Sequence, residues 1–235
     1  MVQESEIACK KMISTGNLEI DRKMGGGIPF GTLMLVEGGA SSGKSSLVQQ
    51  LLWSALNTRE NVALYVTEQT VHSLLRQMES LGLDVVDHFL MDRLRIFPVS
   101  VSRDDALDLK HLSRHMEEQA DAGVIAIDSL TTIVPWSDGE HIKDFLSECK
   151  GLCDSGKVVI CTAHEDAFGE EIGSRTRSVC DAYIRLHVRP SGPSLLKTME
   201  VAKIRGANMK TGNIFGFEIE PNRGLRIIPV STARA

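Results

Sequence analysis

The chain alternates short apolar runs with longer segments in which apolar residues recur at every third or fourth position. The short runs are typical of strands buried on both faces of a sheet, and they lie at residues 33–36, 62–66, 94–97, 124–127 and 158–161. Segments with helical spacing lie between them, at residues 46–56, 71–81, 109–120 and 142–149. This alternation predicts an α/β fold with a mostly parallel central sheet and helices on both faces.

The last third of the chain has a different pattern. Four strand-like runs follow one another there with short turns between them, at residues 182–188, 196–204, 214–219 and 225–230. Short turns permit antiparallel pairing, so we expect these strands to extend the same sheet. No segment has the composition of a linker, and residues 1–235 are therefore predicted to form a single domain.

Residues 38–45 have the phosphate-loop pattern G-x-x-x-x-G-K-S and lie between the first strand and the first helix. In that context the backbone N–H groups and the helix N-terminus bind phosphate, whereas elsewhere the same glycines are a turn that caps a helix. Lys44 is expected to reach the β- and γ-phosphates of ATP, and Ser45 to ligate Mg²⁺. The expected nucleotide-binding residues are Gly39, Ala40, Ser41, Ser42, Gly43, Lys44, Ser45 and Ser46.

Two acidic residues follow predicted strands. Asp128 ends the run at residues 124–127, where it is expected to hold Mg²⁺ through water; the alternative is a helix cap. Glu68 follows the run at residues 62–66. If that strand lies beside the first strand, Glu68 points toward the γ-phosphate and is a candidate catalytic base for the attacking water. The alternative is a carboxylate that stabilises the start of the next helix.

Lys203 and Arg205 alternate along one predicted strand, so their side chains face the same side. Two cations near a strand end can contact a phosphate group. The alternative is an ordinary solvated strand face.

Composition excludes some classes of protein. The chain is 42% hydrophobic and 24% charged, as in an ordinary globular protein, and its net charge of −5 does not favour nucleic acid or an anionic membrane surface. No apolar stretch is long enough to span a bilayer, and the N-terminus lacks a signal-peptide pattern. We therefore expect a cytoplasmic protein.

The five cysteines, an odd number, fit reduced thiols in that compartment. They are Cys9, Cys149, Cys153, Cys161 and Cys180. Cys149 and Cys153 lie one helical turn apart, and a metal site there would need further ligands, with His164 as the nearest candidate. The alternative, which we favour, is that both are small buried hydrophobic residues.

Two acidic segments weigh against a nucleic-acid partner. His164, Glu165, Asp166, Glu170 and Glu171 are predicted to form an acidic loop, with only Arg175 and Arg177 as cations. Trp136 lies in a second acidic loop, where we expect it to be partly buried; the alternative is a loop tip that binds a partner. Single-stranded nucleic acid needs a basic groove with stacking aromatic residues, so we expect no nucleic-acid partner.

Several motifs together resemble the RecA-superfamily ATPases of the KaiC type. They are Ser14-Thr15-Gly16, Met24-Gly25-Gly26-Gly27-Ile28-Pro29, the phosphate loop, Asp128-Ser129, Lys203-Ile204-Arg205-Gly206 and Met209-Lys210. The resemblance covers roughly residues 8–230 and implies a RecA-like P-loop fold with ATP and Mg²⁺ as ligands. It also implies a homo-oligomeric ring, such as a hexamer, in which Lys203 and Arg205 contact ATP on the neighbouring subunit.

One pair of residues departs from the KaiC pattern, because Glu68 is followed by Gln69 where two adjacent glutamates are usual. The segments at residues 67–70 and 73–78 are similar to the FlaH family of archaeal flagellum (archaellum) ATP-binding proteins. That resemblance implies a nucleotide-gated regulator with weak or no hydrolysis. It also implies docking on the motor's secretion-type ATPase and membrane platform. The alternative is a RecA- or KaiC-type paralogue that acts in DNA repair or signalling.

Overall fold

The structure is a computed structural model, and it describes residues 11–99, 109–191 and 194–229. In this part of the chain, eleven strands form two sheets. The strands are β1 (Met12–Ile13), β2 (Ile28–Pro29), β3 (Leu33–Gly38), β4 (Val62–Val66), β5 (Leu94–Pro98), β6 (Val124–Asp128), β7 (Val158–Ala163), β8 (Ala182–Ser191), β9 (Ser194–Ile204), β10 (Ile214–Glu220) and β11 (Gly224–Ile228). The short strands β1 and β2 pair with each other, and the other nine form the central sheet.

The central sheet has the strand order β11-β10-β9-β8-β3-β7-β6-β4-β5. The strands from β8 to β5 are parallel, and β8 to β11 pair antiparallel with one another. This architecture confirms the predicted α/β fold. The prediction that Glu68 points toward the γ-phosphate required β4 to lie beside β3. This strand order was wrong, because β7 and β6 separate β4 from β3. A parallel crossover can skip strand positions, and the apolar pattern does not fix which ones.

Helices cover both faces of the central sheet. They are α1 (Leu18–Lys23), α2 (Lys44–Asn57), α3 (Val71–Ser80), α4 (Val86–Leu90), α5 (Leu109–Glu118), α6 (Gly139–Asp154) and α7 (Gly169–Val179). Because side chains alternate along a strand, Met34 and Val36 of β3 share a core cluster with buried residues of α2 and α3. Leu33 and Leu35 share the opposite cluster with α5 and α6. None of the helices in the described ranges combines the length and apolar character that a membrane crossing requires.

The prediction of an acidic loop after β7 was wrong in part. Residues 169–179 form α7, so Glu170, Glu171, Arg175 and Arg177 lie on a helix rather than in a loop. This helix begins at Gly169, its N-cap residue Phe168 makes no capping hydrogen bond, and it buries few apolar residues of its own, so its sequence lacks the usual helical signals. Trp136 is 56% exposed, so it is only partly buried.

The four cysteines in the described ranges are buried free thiols. Burial raises the pKa of Cys153 to about 12, which keeps that thiol protonated and unreactive. No cluster of His, Cys, Asp or Glu side chains suited to a metal ion is found among the described residues. The structure therefore agrees with small buried hydrophobic residues at Cys149 and Cys153, whereas Cys9 lies outside the described ranges.

Candidate functional site: a phosphate-loop cleft

The loop between β3 and α2 begins at Gly38 and ends at Gly43, the residue before α2. Gly43 has φ +101°, a conformation that side chains rarely adopt, and a Cβ there would also lie 3.0 Å from the Cδ1 atom of Ile219. Ser41 has φ +58° in the middle of the loop. These turns bend the backbone around the N-terminus of α2, where free N–H groups and the helix dipole favour an anion.

A cleft of about 260 Å³ opens in front of this loop. Its lining contains all of the expected nucleotide-binding residues except Gly39, together with both acidic residues selected from the sequence. The lining residues are Ala40, Ser41, Ser42, Gly43, Lys44, Ser45, Ser46, Glu68, Gln77, Asp128, Ser129, His164 and Ile219.

Lys44 is folded back onto its own loop. Its Nζ donates to the carbonyl oxygens of Gly38 and Gly39 at 2.8 and 2.9 Å, and the residue is only 8% exposed. Burial lowers the pKa of Lys44, while the carboxylates of Asp128 and Glu68 oppose that shift. The ammonium group is therefore poorly hydrated, which favours an exchange of these carbonyls for a more negative partner.

Asp128 lies at the end of β6 and hydrogen-bonds two hydroxyl groups. Thr162 Oγ1 donates to Asp128 Oδ1 at 2.7 Å, and the Ser45 side chain makes a second hydrogen bond. Burial raises the pKa of Asp128, and these two hydrogen bonds oppose the rise. A hydroxyl and a carboxylate in contact are hard oxygen donors of the kind that Mg²⁺ prefers.

The loop also contains an unpaired polar atom. Among the residues that the structure describes, the buried Ser42 Oγ finds no hydrogen-bond partner. Buried hydroxyl groups are usually satisfied, so this one is free to bond a phosphate oxygen. Lys197 of β9 fixes the neighbouring backbone, because its Nζ donates to the Ser41 carbonyl at 2.9 Å.

Glu68 reaches the cleft although β4 is distant from β3 in the sheet. The segment after β4 is tied to the end of β6: Thr67 Oγ1 donates to the Ser129 carbonyl at 3.0 Å, and Ser129 Oγ donates to Glu68 Oε1 at 2.9 Å. The adjacent Gln69 has a buried Oε1 without a partner among the described residues. The segment after β4 therefore brings one carboxylate, that of Glu68, to the cleft, and residue 69 adds a carboxamide instead of a second carboxylate.

Lys203 and Arg205 lie away from this cleft. Lys203 Nζ donates to the carbonyls of Arg177 and Ser178. An Arg205 guanidinium nitrogen lies 3.4 Å from that same Ser178 carbonyl, so both cations approach the last turn of α7. Arg205 follows β9 and bonds Asp181, which in turn bonds Leu33 at the start of β3. The phosphate loop follows β3 at its other end, five residue steps from Leu33 to Gly38. At about 3.3 Å a step, this is roughly 17 Å.

Several lining or supporting residues, among them Thr162, His164 and Ile219, were not selected as nucleotide-site residues from the sequence. Thr162 is the last residue but one of β7, the strand that lies between β3 and β6, and His164 follows this strand. A polar residue at the carboxyl end of a buried parallel strand is a usable signal for such a site. Ile219 enters from β10, and no local pattern marks it.

A phosphate loop between a parallel strand and a helix, facing a hydroxyl–carboxylate pair, is the geometry of a P-loop nucleotide-binding protein. The sequence model of the family described as "ATPase: KaiC" matches residues 13–232. The chain therefore belongs to the KaiC ATPase family, and membership implies nucleotide binding.

Relatives within this family share most of the chain. The archaeal flagellar ATP-binding protein FlaH of Sulfolobus acidocaldarius is 29% identical over 95% of this chain and 100% of that protein. FlaH of Methanocaldococcus jannaschii is 29% identical over 92% of this chain and 94% of its own. The crystal structure of flagellar accessory protein FlaH from Methanocaldococcus jannaschii has a TM-score of 0.82 and 26% identity, and it covers 94% of this chain and 100% of that one. These findings confirm the resemblance to KaiC-type ATPases and to FlaH.

Proposed function

We propose that this chain is an ATP-binding regulatory and assembly subunit of an archaeal flagellum (archaellum) motor. The similarity to FlaH proteins along nearly their whole length supports a role of this chain in the motor. The observation that carries nucleotide binding is the phosphate loop in which Lys44 faces the hydrogen-bonded Ser45–Asp128 pair. We also propose that residues 1–235 form one domain.

In this proposal the loop from Gly39 to Ser46 holds the phosphates of ATP. Lys44 leaves the Gly38 and Gly39 carbonyls for the β- and γ-phosphates, and the Ser42 hydroxyl gains the partner that it lacks. Ser45 and Asp128 would hold Mg²⁺, Asp128 through water. Bound Mg²⁺ supplies positive charge that neutralises the phosphate oxygens.

Hydrolysis is proposed to be slow. Glu68 is the candidate base, and its carboxylate bonds Ser129. Gln69 cannot accept a proton or add negative charge beside it. Water activation therefore depends on Glu68 alone, which suits a subunit that responds to bound ATP more than one that turns it over.

The surface proposed for assembly lies toward the end of the parallel strands that is opposite the phosphate loop. Lys203 and Arg205 are too far from their own phosphate loop to contact its nucleotide, so they are assigned to the nucleotide of a neighbouring subunit. Such a heterologous contact repeats around a ring, for example a hexamer.

The proposed partners are the motor's secretion-type ATPase and its membrane platform, at the cytoplasmic face of the membrane. Nucleic acid is not among them, because the net charge is −5 and the residues that follow β7 include Glu165 and Asp166.

The test of ATP binding is a thermal melt with and without Mg²⁺ and ATP. Saturation at about 100 times Kd should stabilise the folded chain by about 2.7 kcal/mol, and Lys44→Ala should lose most of the resulting shift. Lys143→Ala, at an exposed lysine of α6, is the matched control and should keep it. An equal shift in wild type and Lys44→Ala would overturn the assignment of the site.

The test of the motor role is capture of the purified motor ATPase of the same organism by this chain. ATP should increase capture by the wild-type chain, and Lys44→Ala should lose that increase. ATP binding without any capture of the motor ATPase would contradict the motor role and leave the nucleotide site intact.

A further inference from the structure

A buried carboxylate lies immediately before the phosphate loop. Glu37 is the residue before Gly38 at the end of β3, and its exposed fraction is 0%. A charge in this position is costly unless it is paired and hydrogen-bonded. Glu37 does not line the cleft, so the proposed nucleotide site does not explain it.

Arg177 of α7 pairs with this carboxylate. Its Nε donates to Glu37 Oε2 at 2.7 Å, one of its terminal nitrogens donates to Oε1 at 3.3 Å, and the Tyr183 hydroxyl donates to Oε2 at 2.6 Å. The hydrogen bond to Glu37 raises the pKa of the Arg177 guanidinium. A terminal nitrogen of Arg177 also donates to the Glu165 carbonyl at 3.4 Å, in the segment that carries His164 into the cleft.

The backbone of the same arginine holds the basic pair. The Arg177 carbonyl accepts from Lys203 Nζ at 2.7 Å, and the Ser178 carbonyl accepts from Lys203 at 3.3 Å and from Arg205 at 3.4 Å. One residue thus contacts the phosphate-loop strand through its side chain and Lys203 through its carbonyl.

We propose that Arg177 is a positioning residue that couples the phosphate loop to Lys203 and Arg205, and so makes assembly depend on ATP. The proposal rests on the cross-subunit role assigned above to those two cations. Arg177 itself touches no nucleotide; it acts by fixing the last turn of α7, whose carbonyls orient the two cations.

The coupling depends on two alternative sets of partners for Lys44. Without a phosphate, Lys44 Nζ is held by the carbonyls of Gly38 and Gly39, which directly follow Glu37. Departure of Lys44 to a phosphate removes a positive charge from the end of β3. The Glu165 segment is also affected, because the Glu165 carboxylate interacts electrostatically with Lys44. Both partners of the Arg177 side chain therefore lie next to groups that respond to ATP.

The test separates folding, ATP binding and assembly in three variants. Arg177→Lys keeps the charge opposite Glu37 but lacks the planar fork that spans Glu37 and the Glu165 carbonyl. The double variant Glu37→Gln with Arg177→Gln removes the buried charge pair together, so no charge is left unpaired in the core. Arg175→Gln is the matched control, because Arg175 lies on the same helix but pairs with the exposed Glu171.

Nucleotide affinity is measured at a protein concentration that keeps the chain monomeric, and assembly by light scattering with ATP and with ADP. We expect both Arg177 variants to melt cooperatively and to bind ATP within about threefold of wild type. The ratio of assembly strength with ATP to that with ADP should fall at least about tenfold, within the usual range of coupling between sites. Arg175→Gln should behave like the wild-type chain.

Three results would overturn the inference, each in a different way. If both Arg177 variants show the same ATP-dependent assembly as wild type, Arg177 has only a structural role, and the proposed function stands. A wild-type chain that binds ATP but shows no ATP-dependent assembly would remove the cross-subunit role, and the coupling with it. Loss of ATP binding in the monomeric Arg177 variants would assign Arg177 to the nucleotide site itself and contradict the positioning role.

Discussion

Two side chains in the cleft carry charges that their surroundings disfavour, and each is held by polar neighbours. Burial lowers the pKa of Lys44 and raises that of Asp128. Both shifts show that the charged form is poorly solvated. An anion beside Lys44 and a cation beside Asp128 would each relieve this cost, so the cleft is arranged for a ligand that carries both charges.

Hydrolysis at this site should be slow and should depend on Glu68. General-base assistance is typically worth ~10²–10⁴-fold in rate, and here one carboxylate supplies it alone. We expect steady-state turnover below about 1 per second and a further decrease in Glu68→Gln with unchanged ATP affinity. Glu79→Gln, at an exposed position of the following helix, is the control and should match wild type. Wild-type turnover of tens per second in a phosphate-release assay would refute this.

The positions of the loop and of Asp128 could be predicted because their signals are local: a fixed spacing, and an acid directly after an apolar run. Glu68 also lines the cleft, but with a different strand order from the one that its prediction required. Thr162, His164 and Ile219 come to the cleft from β7 and β10. Their presence depends on strand order, which the chain pattern does not specify.

At the scale of elements, the end of β3 is held tightly between its neighbours. A Cβ at Gly38 would lie 2.6 Å from the Leu186 carbonyl of β8 and 2.6 Å from Ser42 Oγ. A Cβ at Gly39 would meet nothing within 4 Å. The first glycine of the motif is therefore required by packing of the strand against β8, whereas the next position tolerates a side chain.

Gly38→Ala should destabilise the folded chain by about 1–3 kcal/mol, as is typical when an extra group is forced into a packed site. The melting temperature should then fall by roughly 2–4 °C per kcal/mol in a chain of this size. Gly39→Ala should change stability by no more than about 0.5 kcal/mol. Thermal melts of the two variants without nucleotide test this, and equal melting temperatures would contradict the packing argument.

Most elements could be predicted because the strands of a doubly covered sheet are continuous apolar runs. The pattern missed the short elements β1, β2, α1 and α4. It also missed α7, whose buried positions are Gly173 and Thr176 and whose start lacks a capping side chain. The neighbours of β4 were also missed, because order in a parallel sheet depends on how each crossover helix packs. The position of α7 and the neighbours of β4 both depend on tertiary contacts that local sequence does not encode.

At the scale of the whole molecule, the cleft and the basic pair lie toward opposite ends of the parallel strands. Lys203 and Arg205 of one subunit therefore lie far from its own phosphate loop, and in the proposed head-to-tail ring they would contact the nucleotide of a neighbour. Arg205 is well placed for this contact, because its side chain is 57% exposed while still held by Asp181. ATP has one more phosphate than ADP to offer these cations, and charge-assisted contacts of that kind are strong.

The most direct test of the account is light scattering of the purified chain at several concentrations, with ATP, with ADP and without nucleotide. Wild type should assemble more strongly with ATP, by a coupling of about 1–3 kcal/mol or roughly 5–150-fold. Arg205→Ala should bind ATP as a monomer with wild-type affinity yet lose the ATP-dependent assembly, while Arg223→Ala, an exposed arginine near the β10–β11 turn, should retain it. A wild-type chain that stays monomeric with ATP, or an Arg205→Ala variant that assembles as wild type does, would contradict the account.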